Sequence, residues 1–131
     1  ADAAPVGAGA PLGDRRVASV TPAGGHRRTD QRFQRVDTDY RVIPGSVAGE
    51  DLVMSQSSVN FDRSGFQQDI NVVFPIDRLR ELAAREAIGS VAGYHYSVMG
   101  ATTPEQMEPA AHEMAGLLKA DGVDAVLLVP I

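Results

Sequence analysis

The stretch 118–131, LKADGVDAVLLVPI, decides the fold class. Asp121 and Gly122 form a helix stop signal, because glycine enters the left-handed backbone region at no steric cost. Val123 to Val129 then make a run of strand length, apolar but for Asp124. Without polar alternation, such a run reads as a parallel strand buried on both faces, at or next to the centre of its sheet. Upstream, Thr103, Pro104 and Gln106 have the spacing of a capping box. Met107, Ala110, Ala111, Met114, Leu117 and Leu118 continue from it as one apolar helical stripe down to Gly122. Pro109 lacks an N–H and is expected to kink this helix or to shift its start. Before it, Tyr94, Tyr96 and Val98 alternate with His95, Ser97 and Met99, a strand with two different faces that ends at Gly100. Strand, helix and strand in this order make a right-handed crossover, the unit of a parallel sheet.

The same grammar extends toward the N-terminus. In INVVFPIDRLRELAAREAIG (70–89), Ile70 to Phe74 are β-prone and Pro75 has the fixed φ favoured at a helix start. Ile76, Leu79, Leu82 and Ala83 share one helical face, Arg78, Glu81 and Arg85 face solvent, and Gly89 is the expected C-terminal cap. The charges of this helix read as a solvated face. Val17, Ala18 and Val20 form a compact strand that runs into Gly24 and Gly25, while YRVIPG (40–45) and EDLVMSQSS (50–58) read as short edge strands. The expected architecture is α/β, three layers, with a mainly parallel sheet and flanking helices. Residues 1–14, rich in small residues, Pro and Gly, are expected to be a flexible leader to a single α/β domain over 15–131.

Composition narrows the function. A net charge of −5 disfavours phosphate backbones and anionic lipid, and no apolar run is long enough to span a bilayer. Neither nucleic acid nor membrane is therefore an expected partner, and with no secretory signal in the leader the expected location is cytoplasmic. The chain has no cysteine, which removes thiolate metal sites and thiol nucleophiles. His26, His95 and His112 lack the short spacings of a metal motif, so no metal site is expected and no cofactor is indicated. The loop after Val20 is not a dinucleotide fingerprint, because HRRTDQRFQRVDTD has no helical stripe. His26 reads as a loop residue, exposed or touching a ligand, His95 as a satisfied core or interface residue, and His112 as solvated. Ser55, Ser57, Ser58 and Ser64 sit in SQSSVNFDRSG (55–65) with no nucleophile elbow or adjacent base, so that cluster reads as a loop.

In order, RVASVTPAGGH, YRVIPG, DINVVFPIDRLRELAAREAIGSVAGYHYSVMG and LKADGVDAVLLVPI resemble the selenoprotein B-like family of the glycine, betaine, sarcosine and D-proline reductases. The likeness covers 15–131. It implies that the strand at 123–129 leads toward a loop with a redox-active selenocysteine or cysteine and a further α/β portion, so that these residues are half of a larger reductase-like unit. A partner polypeptide would then supply the reactive Cys or Sec, and the substrate would be a small amino-acid-like molecule. Family members carry a histidine- and aspartate-rich stretch where this chain has SQSSVNFDRSGFQQD, which keeps Asp62 and Asp69 but has no histidine. Open α/β sheets bind ligands at the carboxyl ends of their strands, which makes Thr21, Gly24, Gly25, His26, Ser55, Met99 and Gly100 the candidate substrate-binding residues. Thr21 and His26 are expected to orient a polar substrate group. Two alternatives stay open: a reductase fold turned to another reaction or to small-molecule binding, and a non-catalytic structural or regulatory subunit.

The helical face assigned to residues 76–83 is testable. Leu79→Asp places an unpaired charge on the buried face and is expected to cost several kcal/mol, enough to unfold the chain, whereas Arg78→Ala is near neutral. Equal melting temperatures for the two variants would show that the wrong face was assigned.

Overall fold

The computed structural model describes residues 7–56, 60 and 62–131, and assembles them around β1 (Arg16–Thr21). Successive carbonyls of an extended strand point to opposite sides. Those of Arg15 and Val17 accept from the N–H groups of Gly89, Ser90 and Ala92, while those of Arg16 and Val20 accept from Asp124 and Val129. Consequently β5 (Ser90–Val91) and β6 (Tyr94–Val98) lie end to end along one edge of β1, and β7 (Ala125–Leu128) lies along the other, all parallel to it. On the far side of β6, β3 (Tyr40–Pro44) pairs antiparallel. A separate antiparallel ribbon joins β2 (Gly25–Arg27) to β4 (Leu52–Met54).

Between β5 and β6 the ladder breaks. Val17 stands opposite Val91, but Val20, three residues on, stands opposite Tyr96, five residues on. Within the break, the Gly93 carbonyl accepts from the Gly45 N–H at 2.8 Å. The Ser19 N–H donates instead to His95 Nδ1 at 2.9 Å, so an imidazole takes the place of a backbone acceptor. His95 is fully buried, and burial lowers its pKa from 6.5 to about 4, with the Asp121 carboxylate opposing the shift.

The α/β, three-layer reading holds, with helices on two faces of a mainly parallel sheet. On one face α2 (Ile76–Ala84) buries Ile76 and Leu79, and Leu79 packs with Val17 and Ile88. Each such side chain contributes about 1.5–3 kcal/mol. Leu82, expected on the same face, remains 38% exposed. A short α1 (Ser64–Gln68) forms where the serine-rich stretch was expected to continue as loop; Ser57 and Ser58 lie outside the described residues. On the opposite face α3 (Pro104–Ala120) sets Leu117 and Ala120 beside Val42 and Tyr96. Its Thr103–Gln106 capping box forms as expected, and Gly122 at φ 74° closes it. The Arg16 guanidinium and the Tyr94 N–H both donate to the Asp121 carboxylate, which latches the end of α3 to the sheet.

Four expectations are corrected. The helix α3 starts at Pro104 and runs unbroken through Pro109, since the missing N–H would only have reached the carbonyl of exposed Glu105. Gly89 does not cap α2: Glu86, at φ 60°, takes the left-handed position, with Glu86 N–H bonded to Ala83 and Ala87 N–H to Leu82. Gly89 is needed for close packing, as a Cβ there would lie 2.7 Å from the backbone of Asp14. Ile70–Val72 is a 3-10 turn rather than strand, because the Asp69 carboxylate accepts the Asn71 N–H and the Asn71 side chain bonds Asp77. Finally, β7 is an edge strand and is not buried: Val126, Leu127 and Leu128 are 43%, 40% and 72% exposed, and no described strand pairs with its outer side. Its apolar pattern suits two covered faces; Ala125 packs against the cluster of Val17, Leu79 and Ile88, but Val126, Leu127 and Leu128 are left exposed.

The buried imidazole has a thermodynamic consequence. Its folded pKa lies below its unfolded value, so the unfolded chain binds the extra proton first and stability falls as pH drops from 6.5 toward about 4. The full loss is about 3 kcal/mol for a shift of this size. His95→Gln keeps an acceptor for Ser19 but removes the titration. Urea midpoints measured from pH 7.5 to 4.5 are expected to fall more steeply for the native chain than for the variant, and parallel declines would contradict the assignment.

Candidate functional site

Three segments far apart in sequence meet at the carboxyl ends of β1 and β6. The chain leaves β1 through Pro22–Ala23–Gly24, and the Gly24 N–H donates to the Val98 carbonyl at 3.0 Å. From the β4 side, the Ser55 N–H donates to the Gly24 carbonyl at 2.9 Å. The Gln56 carboxamide then clamps both strand ends, its nitrogen donating to the carbonyls of Pro22 (2.8 Å) and Met99 (3.1 Å). Close approach explains the glycines. Gly24 has φ 66°, and a Cβ there would sit 3.1 Å from Gln56 N; Gly100 has φ 71°, with Pro22 Cβ 3.0 Å from the same position.

All seven candidate residues are brought together here, with different exposures. Met99 and Gly100 line an open cleft of about 660 Å³, with Pro22, Gln56, Asp62 and Ala101 among its other walls. That volume suits a small organic ligand. Thr21, Gly24, Gly25 and His26 are buried behind it. The Thr21 hydroxyl accepts from the Ala23 N–H at 3.3 Å. His26, expected in a loop, lies in β2 and is 2% exposed, with both ring nitrogens engaged. Nδ1 lies 2.7 Å from the Arg27 carbonyl and Nε2 lies 2.7 Å from the half-buried Ser55 hydroxyl. His95 satisfies Ser19 through Nδ1, but its Nε2 finds no partner among the described residues, nor do the Ser19 and Ser97 hydroxyls. His112 is on the surface near Glu108.

Charge in the cleft comes from Asp62, held below the usual carboxylate range by the Ser64 hydroxyl and backbone N–H. Next to it the Arg63 guanidinium is turned onto the Gln56 carbonyl at 2.5 Å. No group of three His, Asp or Glu among the described residues is placed to hold a metal ion, and no described helix is long and apolar enough to cross a membrane. Sequence reading missed the contributions of Gln56 and Asp62 and the contact between Ser55 and His26. The Gln56 and Ser55 contacts are long-range pairings that no local pattern carries, whereas Asp62 is held by Ser64 two residues on.

Comparison with known proteins adds a family. The profile of the glycine/sarcosine/betaine reductase selenoprotein B family matches residues 51–130, which include Ser55, Met99 and Gly100 but not the β1 end. The D-proline reductase subunit gamma of Acetoanaerobium sticklandii is 39% identical over 120 residues, 89% of this chain and 49% of that subunit. The glycine reductase complex component B subunit gamma of Carboxydothermus hydrogenoformans is 40% identical over 62 residues, 47% of this chain and 14% of that protein. The betaine reductase complex component B subunit beta of Peptoclostridium acidaminophilum is 38% identical over 69 residues, 52% of this chain and 16% of that protein. The chain thus spans about half the length of the D-proline reductase subunit and less of the other two. No solved structure matches it significantly.

The backbone geometry of the site predicts two opposite outcomes of one substitution. Gly24→Ala combines a left-handed φ with a tight backbone contact and is expected to destabilise by about 2 kcal/mol. Gly116→Ala, inside α3 with no atom near the new methyl group, is expected to stabilise by about 0.5–1 kcal/mol. Urea denaturation of both variants checks the pair.

Proposed function

Because this chain belongs to the glycine/sarcosine/betaine reductase selenoprotein B family, we propose that it is a subunit of a cytoplasmic reductase complex that supplies the substrate-side loops. The loops are those of Thr21, Gly24, Gly25, His26, Ser55, Met99 and Gly100, and the substrate is a small amino-acid-like molecule of the kind named for its relatives. Met99, Gly100 and Gln56 meet the ligand, while Thr21 and His26 hold the loops from behind. Residues 15–131 act as one α/β unit, half of a larger reductase-like assembly.

The observation that carries this reading is β7. It leaves the cleft side of the sheet with one hydrogen-bonding edge that no described strand pairs and apolar side chains on both faces, and the chain contains no cysteine. A reducing thiol or selenol must therefore come from polypeptide outside these 131 residues. Such a segment would extend the sheet at β7, cover Val126 and Leu128 on one face and Leu127 on the other, and bring its nucleophile beside Ile131, which lines the cleft.

Purification of the tagged chain from its native cells is expected to recover a Cys- or Sec-bearing partner. The chain alone should be inactive in dithiol-driven reduction of D-proline, glycine or betaine, with turnover appearing when the partner is added. Leu128→Glu should weaken the association at least tenfold while leaving the monomer folded. Robust reduction by the lone chain would overturn the reading.

A further inference from the structure

Ser55 and His26 are 29 residues apart in sequence, and the fold sets them in direct contact. The Arg27 carbonyl can only accept, so the proton of the imidazole sits on Nδ1 and Nε2 is left as the acceptor for the Ser55 hydroxyl. The edge of the Phe33 ring fixes the imidazole from the side, with 6.4 Å between ring centroids. Arg41 in turn covers the Phe33 ring at 4.2 Å. Across the β2 turn, burial works against ionisation of Asp30, but hydrogen bonds from the Arg27 guanidinium and backbone hold its carboxyl below the usual range. A fixed negative charge therefore lies within electrostatic reach of His26. Ser55 is itself immobilised by its bond to Gly24, half-buried, and one residue from the cleft wall at Gln56.

A hydroxyl donating to a histidine whose other nitrogen is pinned to a carbonyl is a nucleophile with its general base. We propose that Ser55 is an activated nucleophile for acyl or phosphonyl groups, with His26 as its base, an activity distinct from the reductase reading and independent of it. Ser55 Oγ forms a bond to the electrophilic carbon or phosphorus as its proton passes to His26 Nε2. The bond to the leaving group breaks with both electrons going to that group, and the imidazolium returns the proton to it. No oxidant or reductant takes part. The Gln56 carboxamide nitrogen is already committed to two carbonyls and supplies no donor to a developing oxyanion, so the expected behaviour is stoichiometric modification by activated electrophiles rather than rapid turnover.

The test treats the 131-residue chain with a fluorophosphonate and with p-nitrophenyl acetate, then maps adducts by intact mass and peptide sequencing. A single adduct on Ser55 is expected, abolished in Ser55→Ala and slowed at least tenfold in His26→Gln, with Ser64 unmodified. A second measurement holds if Ser55→Ala fails to fold. Because the chain lacks cysteine, Ser55→Cys installs one thiol whose alkylation by iodoacetamide at pH 6 should be at least tenfold faster than in the Ser55→Cys, His26→Gln double variant. Labelling elsewhere, labelling indifferent to His26→Gln, or equal alkylation rates would each overturn the proposal.

Discussion

The hydrogen bond from the Ser19 N–H to His95 Nδ1 is the contact on which the sheet depends. It lets the strand beside β1 break in its middle without orphaning a buried donor, and an orphaned donor of that kind costs about 1–3 kcal/mol. The break frees the Gly93 carbonyl to hold Gly45, which turns the chain at the end of β3. Arg80 of α2 donates to the Gly45 carbonyl, so a helix on one face and the antiparallel edge are fixed through the same gap. A neutral imidazole, a broken strand and a docked helix are one arrangement.

The candidate site inherits its shape from that sheet. The parallel strands β1 and β6 end side by side, so the loops that follow them are forced together, and the β2–β4 ribbon folds over them. Backbone hydrogen bonds from Gly24 and Ser55, with the Gln56 clamp, join the three segments. Beneath them lies a stripe of buried polar side chains, Ser19, Thr21, His95 and Ser97, on one face of the sheet, where apolar residues would pack more simply. Polar groups retained under a cleft are a common mark of a site held for chemistry rather than for stability alone.

What was legible in the sequence was local. The Thr103–Gln106 box, the Gly122 stop and the strand Tyr94–Val98 are written in residues a few positions apart, and the structure contains each of them. The loops ending β1 and β6 were recognisable from their glycines. Glu86 could not be foreseen as a left-handed cap, because its own residue type disfavours that conformation and the cap is closed by the bonds of Glu86 N–H to Ala83 and Ala87 N–H to Leu82. Ile70–Val72 misled because β-propensity ignores what the carboxylate of Asp69 and the amide of Asn71 do to the backbone between them. For β7, an unbroken apolar run reveals how many faces expect cover, not whether these residues provide it. The Ser55–His26 contact depends on the pairing of β2 with β4, and so appears only once the fold is in place.

The ends of β7 carry a further implication. AVLLV is short, uncharged and rich in β-formers, the composition that templates cross-β stacking when an edge is bare. Asp124 precedes it, held by the Arg16 N–H, and Pro130 follows it, unable to donate to a neighbouring strand. Together they confine any intermolecular ladder to the few residues between them. An acidic gatekeeper and a proline breaker thus flank an exposed, β-prone edge segment.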